Sequence, residues 1–482
     1  MRVGRPDTAT WSLLRSRGSA AAPSPAGPAM REGILLATLI FAFLALLGRM
    51  EAGASTPYPL AAVTSCIVVF ALLCVTHLEV AFLLILAATP FSMERVIPGT
   101  GSALQVPTEP MLFVALAAWG VRSLARRPRT FAQPGLTAAL LLALGAILVS
   151  ITVTAYRLAS IKATLNAVWY GLFGLFLLNN LAVRGRLKVL AWAWLVPGVI
   201  LSLYSMVSVF IGHYEPLIGY WWAKPFFTEH GTFSAYLSFV CALALGLSIE
   251  MSGALKPVFA LVALASGSQV ILSLTRGAWA GLVGLGLFLL IVSGRRLVRF
   301  GNLALGAIGF IGLVGLVVAS GATQRLEHHS RTITDPTNLS NLERVNRWGA
   351  GYGMFQSAPL TGVGFGAYPD AYLAFRKVPL ETNQSTRRMG VHSEYLKVLA
   401  ETGLIGAAAA ALAFFFVARI ARRVIRNTRE PYLRGLAVGV AGGLVTYGIH
   451  GIVNNYMVYD KLAIPVWTAI GTLAAIDRLT RR

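Results

Sequence analysis

One histidine of this chain stands where it could act as a base. His392 opens a helical pattern, HSEYLKVLAETG, that ends near Gly403. The positive end of a helix dipole disfavours the protonated imidazole, so a histidine at a helix N-terminus stays neutral and can accept a proton. His392 is therefore a candidate catalytic residue. The alternative is that it only caps a helix at a membrane surface.

Two arginines on one predicted helix could bind a diphosphate. Arg344 and Arg347 lie three residues apart, so they share one face of a helix. Another face carries an apolar stripe, which consists of Val345, Trp348, Tyr352 and Phe355. Paired guanidinium groups match a diphosphate through forked, charge-assisted hydrogen bonds. For Arg347, a solvated position that touches lipid phosphates is an equally open interpretation.

A third arginine lies close to the hydrocarbon of a membrane. Arg276 follows the apolar run 257–274 and precedes the run 277–293. An arginine so near the bilayer is costly unless it has an anionic partner or a wet cavity, and this indicates a functional site. Arg276 is therefore a candidate functional residue. The alternative is that its side chain extends to lipid headgroups.

Aromatic side chains offer candidate sugar contacts. Trp221 and Trp222 lie in the aromatic loop 212–230, and Tyr395 follows His392 by three residues. Aromatic faces stack on sugar rings, and we name these three residues as glycan-binding candidates. For the loop, the interfacial aromatic belt of membrane proteins is the favoured interpretation.

The elements that must position these residues are membrane helices. The chain has 482 residues, of which 56% are hydrophobic and 12% are charged. Apolar runs long enough to cross a bilayer recur along it. We predict an all-α polytopic membrane protein with about 12 to 14 transmembrane helices. The runs are 33–48, 58–76, 78–91, 107–121, 135–155, 165–182, 189–211, 231–249, 257–274, 277–293, 301–320, 404–418, 433–453 and 461–477, of which the third and fourth are short.

Positive charge predicts how these helices are oriented. The net charge is +22, and most of the 41 lysines and arginines fall in loops on one side of the predicted helices. Short basic loops stay cytoplasmic, so both termini are predicted inside and residues 321–402 outside. The leader 1–32 is then a disordered cytoplasmic tail and no signal peptide, and Met30 is an alternative start. Outside the cytoplasm there are no nucleotide sugars, so glycosyl chemistry there needs a lipid-linked donor.

Several common catalytic motifs are missing from the sequence. It has no P-loop, no HExxH and no GxSxG, and Gly362, Gly364 and Gly366 follow no predicted strand. We interpret those glycines as a tight turn between two loop helices. We expect no metal site and no cofactor, with the chemistry carried by histidine and arginine. The basic charge, spread over membrane loops, gives no indication of nucleic-acid binding.

Four segments together resemble a known family. They are GTFSAYL at 231–237, LTRGAW at 274–279, PLTGVGFGAY at 359–368 and HSEYLKVLAETGLIG at 392–406. This pattern resembles the O-antigen ligase and polymerase superfamily, although many members carry His-Asn where this chain has His392-Ser393. The resemblance implies a helical glycosyltransferase fold of the C type with one large periplasmic loop, in a bacterial inner membrane.

The resemblance also implies a reaction and a division of the chain. Members move a glycan from undecaprenyl diphosphate to an acceptor hydroxyl without a metal. His392 would activate the acceptor, and Arg276 and Arg344 would hold the diphosphate. The expected parts are the tail 1–32, an N-terminal bundle 33–230, a ligase-like core 231–418 that includes the loop 321–402, and C-terminal helices with a basic tail 419–482.

Two alternatives to a ligase stay open on sequence grounds. A ligase uses lipid A core as acceptor, whereas a polymerase of O-antigen or exopolysaccharide uses a second lipid-linked glycan. A transporter or flippase is the alternative of another class. Transporters place ionisable residues near the midplane and often contain repeats, whereas the predicted spans here are almost free of charge and show no repeat.

Overall fold

Helices form almost all the regular structure of the part of the chain that is described. A computed structural model describes residues 68–97, 102–124, 133–180, 184–211, 223–297, 339–376 and 390–481. Its helices are α1 (Leu78–Ala88), α2 (Thr108–Leu124), α3 (Pro134–Val153), α4 (Arg157–Asn180), α5 (Arg184–Ile211), α6 (His230–Glu250), α7 (Leu255–Leu272), α8 (Arg276–Leu297), α9 (Leu339–Ser357), α10 (Tyr368–Phe375), α11 (Glu394–Asn427), α12 (Pro431–His450) and α13 (Asp460–Thr480). Residues 68–76 are also helical.

A short hairpin is the one sheet within these ranges. A 3₁₀ turn at Thr89–Phe91 leads into β1 (Met93–Ile97), which pairs antiparallel with β2 (Ser102–Val106). The hairpin joins α1 to α2.

The predicted fold class is confirmed. Eight of the described helices are long and apolar enough to cross a membrane: α3, α5, α6, α7, α8, α11, α12 and α13. A helix satisfies its backbone hydrogen bonds internally, which is why such apolar segments are stable in lipid.

The remaining predicted spans either lie outside the described residues or form helices that are shorter or more polar than these eight. Segments 33–48 and 301–320, and most of 58–76, lie outside the described residues. The short runs 78–91 and 107–121 form α1 and α2, with 11 and 17 residues. The run 165–182 lies in α4, whose 24 residues begin at Arg157 with a more polar first half. Thus eight of the 12 to 14 expected spans are seen within the described ranges.

The helix α6 lies at the centre of the bundle. Nearly all of its residues are buried, and it packs against α7, α8 and α12. Gly246 faces Gly435 and Gly439 so closely that a Cβ at Gly246 would lie 2.4 Å from the Gly439 nitrogen. The backbones of α6 and α12 therefore touch, which only glycine permits at this point.

A small lobe with its own apolar core sits beside the bundle. It consists of α9, α10 and the first turns of α11, and Met354, Tyr368, Tyr372 and Val391 form its centre. The predicted turn at 362–366 joins it to α11: the N–H groups of Val363 and Gly364 donate to the Ala400 and Glu401 carbonyls at 2.9 and 3.1 Å.

These hydrogen bonds meet a break in α11. Gly403 has φ 62 and ψ −161, so the helix is interrupted there and continues to Asn427. The predicted helix end near Gly403 is thus a kink. Beyond it, the Leu404 N–H donates to the Pro359 carbonyl at 2.8 Å.

The bundle has two ends that differ in charge. His230, Arg276, His450 and Asp460 mark one end, which also carries the lobe, and we call it the His392 end. At the opposite end, Glu250 contacts Arg434 at 3.0 Å and also binds Arg296.

Candidate active site

His392 is fixed by its backbone in an uncommon conformation. It lies two residues before α11, with φ 54, and Ser393 caps the helix by accepting from the Leu396 N–H at 3.3 Å. The His392 N–H donates to Asn455 Oδ1 at 2.9 Å, and its carbonyl accepts from Trp348 Nε1 at 3.3 Å. A non-glycine residue in this region stores strain that its surroundings must hold, and such residues cluster at functional sites.

An asparagine bridges His392 to a second histidine. His392 Nδ1 lies 3.1 Å from Asn454 Oδ1, and Asn454 Nδ2 lies 2.9 Å from His450 Nε2. Because a carbonyl oxygen can only accept, His392 Nδ1 carries the proton in this arrangement. The Nε2 atom of His392 then has a free lone pair, as a general base requires.

The His392 imidazole is neutral at physiological pH, as predicted, but for a different first reason. Its pKa is lowered to about 4, first by burial and then by the Arg347 and Arg344 guanidinium groups, while the Asn454 hydrogen bond opposes them. The expected cause was the helix dipole. Burial and two nearby cations are the stronger effects because both penalise the imidazolium directly.

Arg347 is the more buried of the two arginines on α9. It is 3% exposed, and Glu343 lies 3.8 Å from it. This burial contradicts the alternative in which Arg347 is solvated. Two residues of the apolar stripe, Val345 and Tyr352, are 64% and 52% exposed. The face with Arg347 packs instead onto the lobe core, where the Tyr368 hydroxyl donates to the Arg347 carbonyl at 2.8 Å.

Arg276 meets α9 from the first turn of α8. Its Nη1 donates to Asn341 Oδ1 at 3.3 Å, and it lies within electrostatic range of Arg344. The next residue, Gly277, packs directly against the His450 ring. Arg276, Arg344, Arg347 and His392 thus converge at one end of the bundle.

A carboxylate that the sequence interpretation did not single out also faces this cluster. Glu229 precedes α6, and burial raises the pKa of its carboxyl while Arg347 opposes that rise. It offers a hydrogen-bond acceptor beside the guanidinium groups.

The segment 451–459 contributes the other residues that were missed. It holds Asn454 and Asn455, and the Glu394 carboxylate fastens it to α11 by accepting from the Tyr456 and Met457 N–H groups, both at 2.7 Å. Two adjacent asparagines directly after the apolar run 433–453 were the available signal, but Asn179 and Asn180 near the end of the run 165–182 give the same signal, so it could not single them out.

The glycan-binding candidates divide into two groups. Trp221 and Trp222 lie outside the described residues. Tyr395 is 53% exposed, and its hydroxyl donates to the Gly448 carbonyl at 2.8 Å. One ring face of Tyr395 is thus available next to His392.

Comparison with known proteins identifies the region that holds this cluster. The O-antigen ligase family model matches residues 259–411, which include Arg276, Arg344, Arg347 and His392. Glu229, His450, Asn454 and Asn455 lie outside the matched residues. No curated protein matches the chain. Residues 259–411 of the chain thus form a domain that matches the O-antigen ligase family.

Proposed function

We propose that this protein transfers a glycan from undecaprenyl diphosphate to an acceptor hydroxyl during surface polysaccharide assembly, as an O-antigen ligase. The observation that carries the proposal is the convergence of a neutral imidazole with three guanidinium groups. His392 lies within electrostatic range of Arg344 and Arg347, and Arg344 lies within range of Arg276. These are the two kinds of group that the reaction needs.

The proposed reaction uses His392 as the base. Its Nε2 takes the proton of the acceptor hydroxyl, and the acceptor oxygen forms a bond to the anomeric carbon. The bond from that carbon to the diphosphate oxygen breaks, and the electron pair leaves with the diphosphate. Asn454 holds the Nδ1 proton and stabilises the imidazolium that forms.

The arginines act on the leaving group. Negative charge grows on the diphosphate as the bond breaks, and preorganised cations in a desolvated site offset that charge. We assign Arg276 and Arg344 to the diphosphate. Arg347 is buried and ion-paired with Glu343. We propose that its positive charge keeps the His392 imidazole neutral. With three guanidinium groups present, the reaction needs no metal ion.

The charge of the two ends supports the proposed orientation. Arg422, Arg426 and Arg434 lie at the end opposite to His392, and basic residues stay on the cytoplasmic side. We infer that the protein lies in a bacterial inner membrane with its active site on the periplasmic side. The donor there is lipid-linked, and the acceptor is lipid A core.

The polymerase alternative uses the same site with a second lipid-linked glycan as acceptor. Deletion of the gene and gel analysis of surface polysaccharide separate the two. Loss of all long chains from lipid A core indicates a ligase, and a single capped repeat indicates a polymerase. Unchanged polysaccharide contradicts both.

The site assignment is tested by returning variants to the deletion strain. We expect His392→Ala and Arg276→Ala each to reduce transfer by at least about 100-fold, because each removes a group that acts in the transition state. Arg95→Ala, at an exposed arginine of β1, is the control and should transfer normally. Immunoblots of membranes check that all three insert equally. Normal transfer by both site variants would refute the assignment.

A further inference from the structure

A cavity between α3, α4 and α11 has no part in the proposed reaction. Its volume is about 700 Å³, within the range of about 300 to 1,000 Å³ that is typical of small-molecule sites. The residues that line it include neither His392 nor the three arginines of the candidate active site. Small side chains leave the space, among them Ala143, Ala163, Gly406 and Ala410.

The apolar part of the cavity is about one leaflet deep. The last turn of α3 lies beside the lobe, where the Phe365 N–H donates to Ser150 Oγ at 3.1 Å. From the end of α3 at Val153 the lining extends along the helix to Ala143, over about 15 Å. The hydrocarbon of a bilayer is about 30 Å thick, so the cavity reaches through about half of it.

The walls of the cavity belong to helices that face lipid. α3 and α11 are the two least buried of the eight described spans, with 28% and 17% of their most apolar stretches buried. Further along, these two helices touch, since a Cβ at Gly135 would lie 2.6 Å from the Phe416 ring. The cavity therefore ends within the bilayer and adjoins the lipid of one leaflet, the one next to the lobe.

The part of the cavity nearest the lobe is charged. Four charged side chains line it, and their charges sum to zero: Lys162, Glu394, Lys397 and Glu401. The Glu394 carboxylate is already bound to the segment 451–459 by two backbone N–H groups. The two lysines and Glu401 are therefore the groups that face a ligand.

Glu401 is fully buried and has an oxygen to spare. Its Oε1 atom accepts from the Tyr368 N–H at 3.3 Å. Within the described residues no hydrogen bond reaches Oε2, and the Lys397 ammonium lies 3.9 Å from it, which is too far for one. A buried acceptor without a donor costs free energy, so Oε2 is the atom to which a donor group of a ligand would bind.

We propose that this cavity binds a phospholipid whose head group carries a phosphate and a primary ammonium. The ammonium donates to Glu401 Oε2, the phosphate lies beside Lys162 and Lys397, and the start of the acyl chains fills the apolar part. A zwitterion keeps the lining neutral, whereas an anionic head group leaves an unbalanced charge in a desolvated site. The proposal does not depend on glycan transfer, because it involves none of the residues assigned to that reaction.

The test compares three phospholipids that share acyl chains and differ in head group. Phosphatidylethanolamine, phosphatidylcholine and phosphatidylglycerol are titrated into the full-length protein in detergent, with binding followed by native mass spectrometry. We expect phosphatidylethanolamine to bind at least about tenfold more tightly than the others, because a quaternary ammonium cannot donate a hydrogen bond and phosphatidylglycerol is anionic. Equal binding of phosphatidylethanolamine and either of the other two overturns the proposal.

Glu401→Gln retains one oxygen for the Tyr368 N–H and replaces Oε2 with an amide nitrogen. It should lose the preference for phosphatidylethanolamine over phosphatidylcholine. Glu94→Gln is the matched control, because Glu94 is an exposed glutamate of β1 and does not line the cavity. A preference that survives in Glu401→Gln contradicts the assignment of the head group, as does a preference lost equally in Glu94→Gln.

A second pair of variants tests the apolar part. Ala410→Trp places an indole in the cavity and should weaken the binding of phosphatidylethanolamine at least about tenfold. Ala411→Trp, at an exposed position of the same helix outside the lining, should bind this lipid as the wild type does. Size-exclusion chromatography checks that both variants stay monodisperse. Unchanged binding by Ala410→Trp overturns the proposed site.

Discussion

At the scale of single residues, the neighbours of His392 pull its pKa in opposite directions. Burial and the two arginines favour the neutral imidazole, and Asn454 favours the charged one. A base with a pKa of about 4 is weak, but in the proposed reaction a diphosphate bound at Arg276 and Arg344 cancels part of the positive field at His392. The pKa of His392 then rises, so His392 becomes a stronger base when the donor is bound.

The pH dependence of transfer tests this account. A neutral His392 is required, so kcat/KM should be flat at neutral pH and fall as pH decreases towards the pKa of about 4 in the free protein. Asn454→Asp places a carboxylate against Nδ1, which favours the imidazolium and raises the pKa by about 1 to 3 units. The acid limb should therefore move to between about pH 5 and pH 7.

Asn455→Asp is the control for that shift. Asn455 accepts from the His392 backbone N–H and does not bond to the ring, so its carboxylate should move the limb less. If the limb of Asn454→Asp coincides with that of the wild type, Asn454 does not set the charge of His392.

At the scale of elements, the break in α11 sets the distance between the lobe and the bundle. The turn at 359–364 bonds to the groups on both sides of Gly403, so the polar backbone exposed by the kink is satisfied. His392 lies at the N-terminal end of this fastened segment. Its position relative to α12 thus depends on the kink.

Gly403→Ala tests the dependence on the kink. The φ and ψ of Gly403 belong to a region that is essentially restricted to glycine, and a Cβ would lie 2.4 Å from the Leu360 carbonyl carbon. We expect the free energy of unfolding in detergent to fall by about 1 to 3 kcal/mol. Transfer should fall as well, because the lobe is displaced.

Gly120→Ala is the comparison, since a Cβ there meets nothing within 4 Å in the helix α2. It should leave stability unchanged or increase it by up to about 1 kcal/mol. Equal unfolding of the two variants would contradict a structural role for the kink.

At the scale of the whole molecule, the ionic contacts of Glu250 and the reactive cluster occupy opposite ends. Glu250 contacts Arg434 and Arg296, which joins α6, α8 and α12 at the end far from His392. The second part of α11, from Gly403 to Asn427, is about 36 Å long, enough to separate the two ends across a bilayer.

Cysteine labelling tests the sidedness of the two ends. In a background without the three native cysteines, Gln356→Cys and Arg429→Cys each place one exposed thiol at one end. A membrane-impermeant maleimide should label Gln356→Cys in cells with a permeabilised outer membrane. It should label Arg429→Cys only after lysis, because we propose that the basic end is cytoplasmic. The reverse pattern would place the site inside the cell.

The sequence predicted those site residues that stand out by their type and by their position relative to the apolar runs. His392 and Arg344 could be singled out because polar residues stand out in an apolar chain, and Arg276 because it separates two spans. The burial of Arg347 could not be predicted, since periodicity shows which residues share a face but not what covers it. Asn454 is 62 residues from His392, and only the packing of α12 against α11 brings them together.

The close approach of α6 and α12 has a consequence for how the base is assembled. The backbones of these two helices touch through glycines, and His450 ends one of them. His392 belongs to the lobe, so the contact between His392 and Asn454 joins the lobe to the bundle. Movement of the lobe away from the bundle lengthens the contact between His392 Nδ1 and Asn454 Oδ1. The tautomer with a proton-accepting Nε2 is therefore held only while that contact is made.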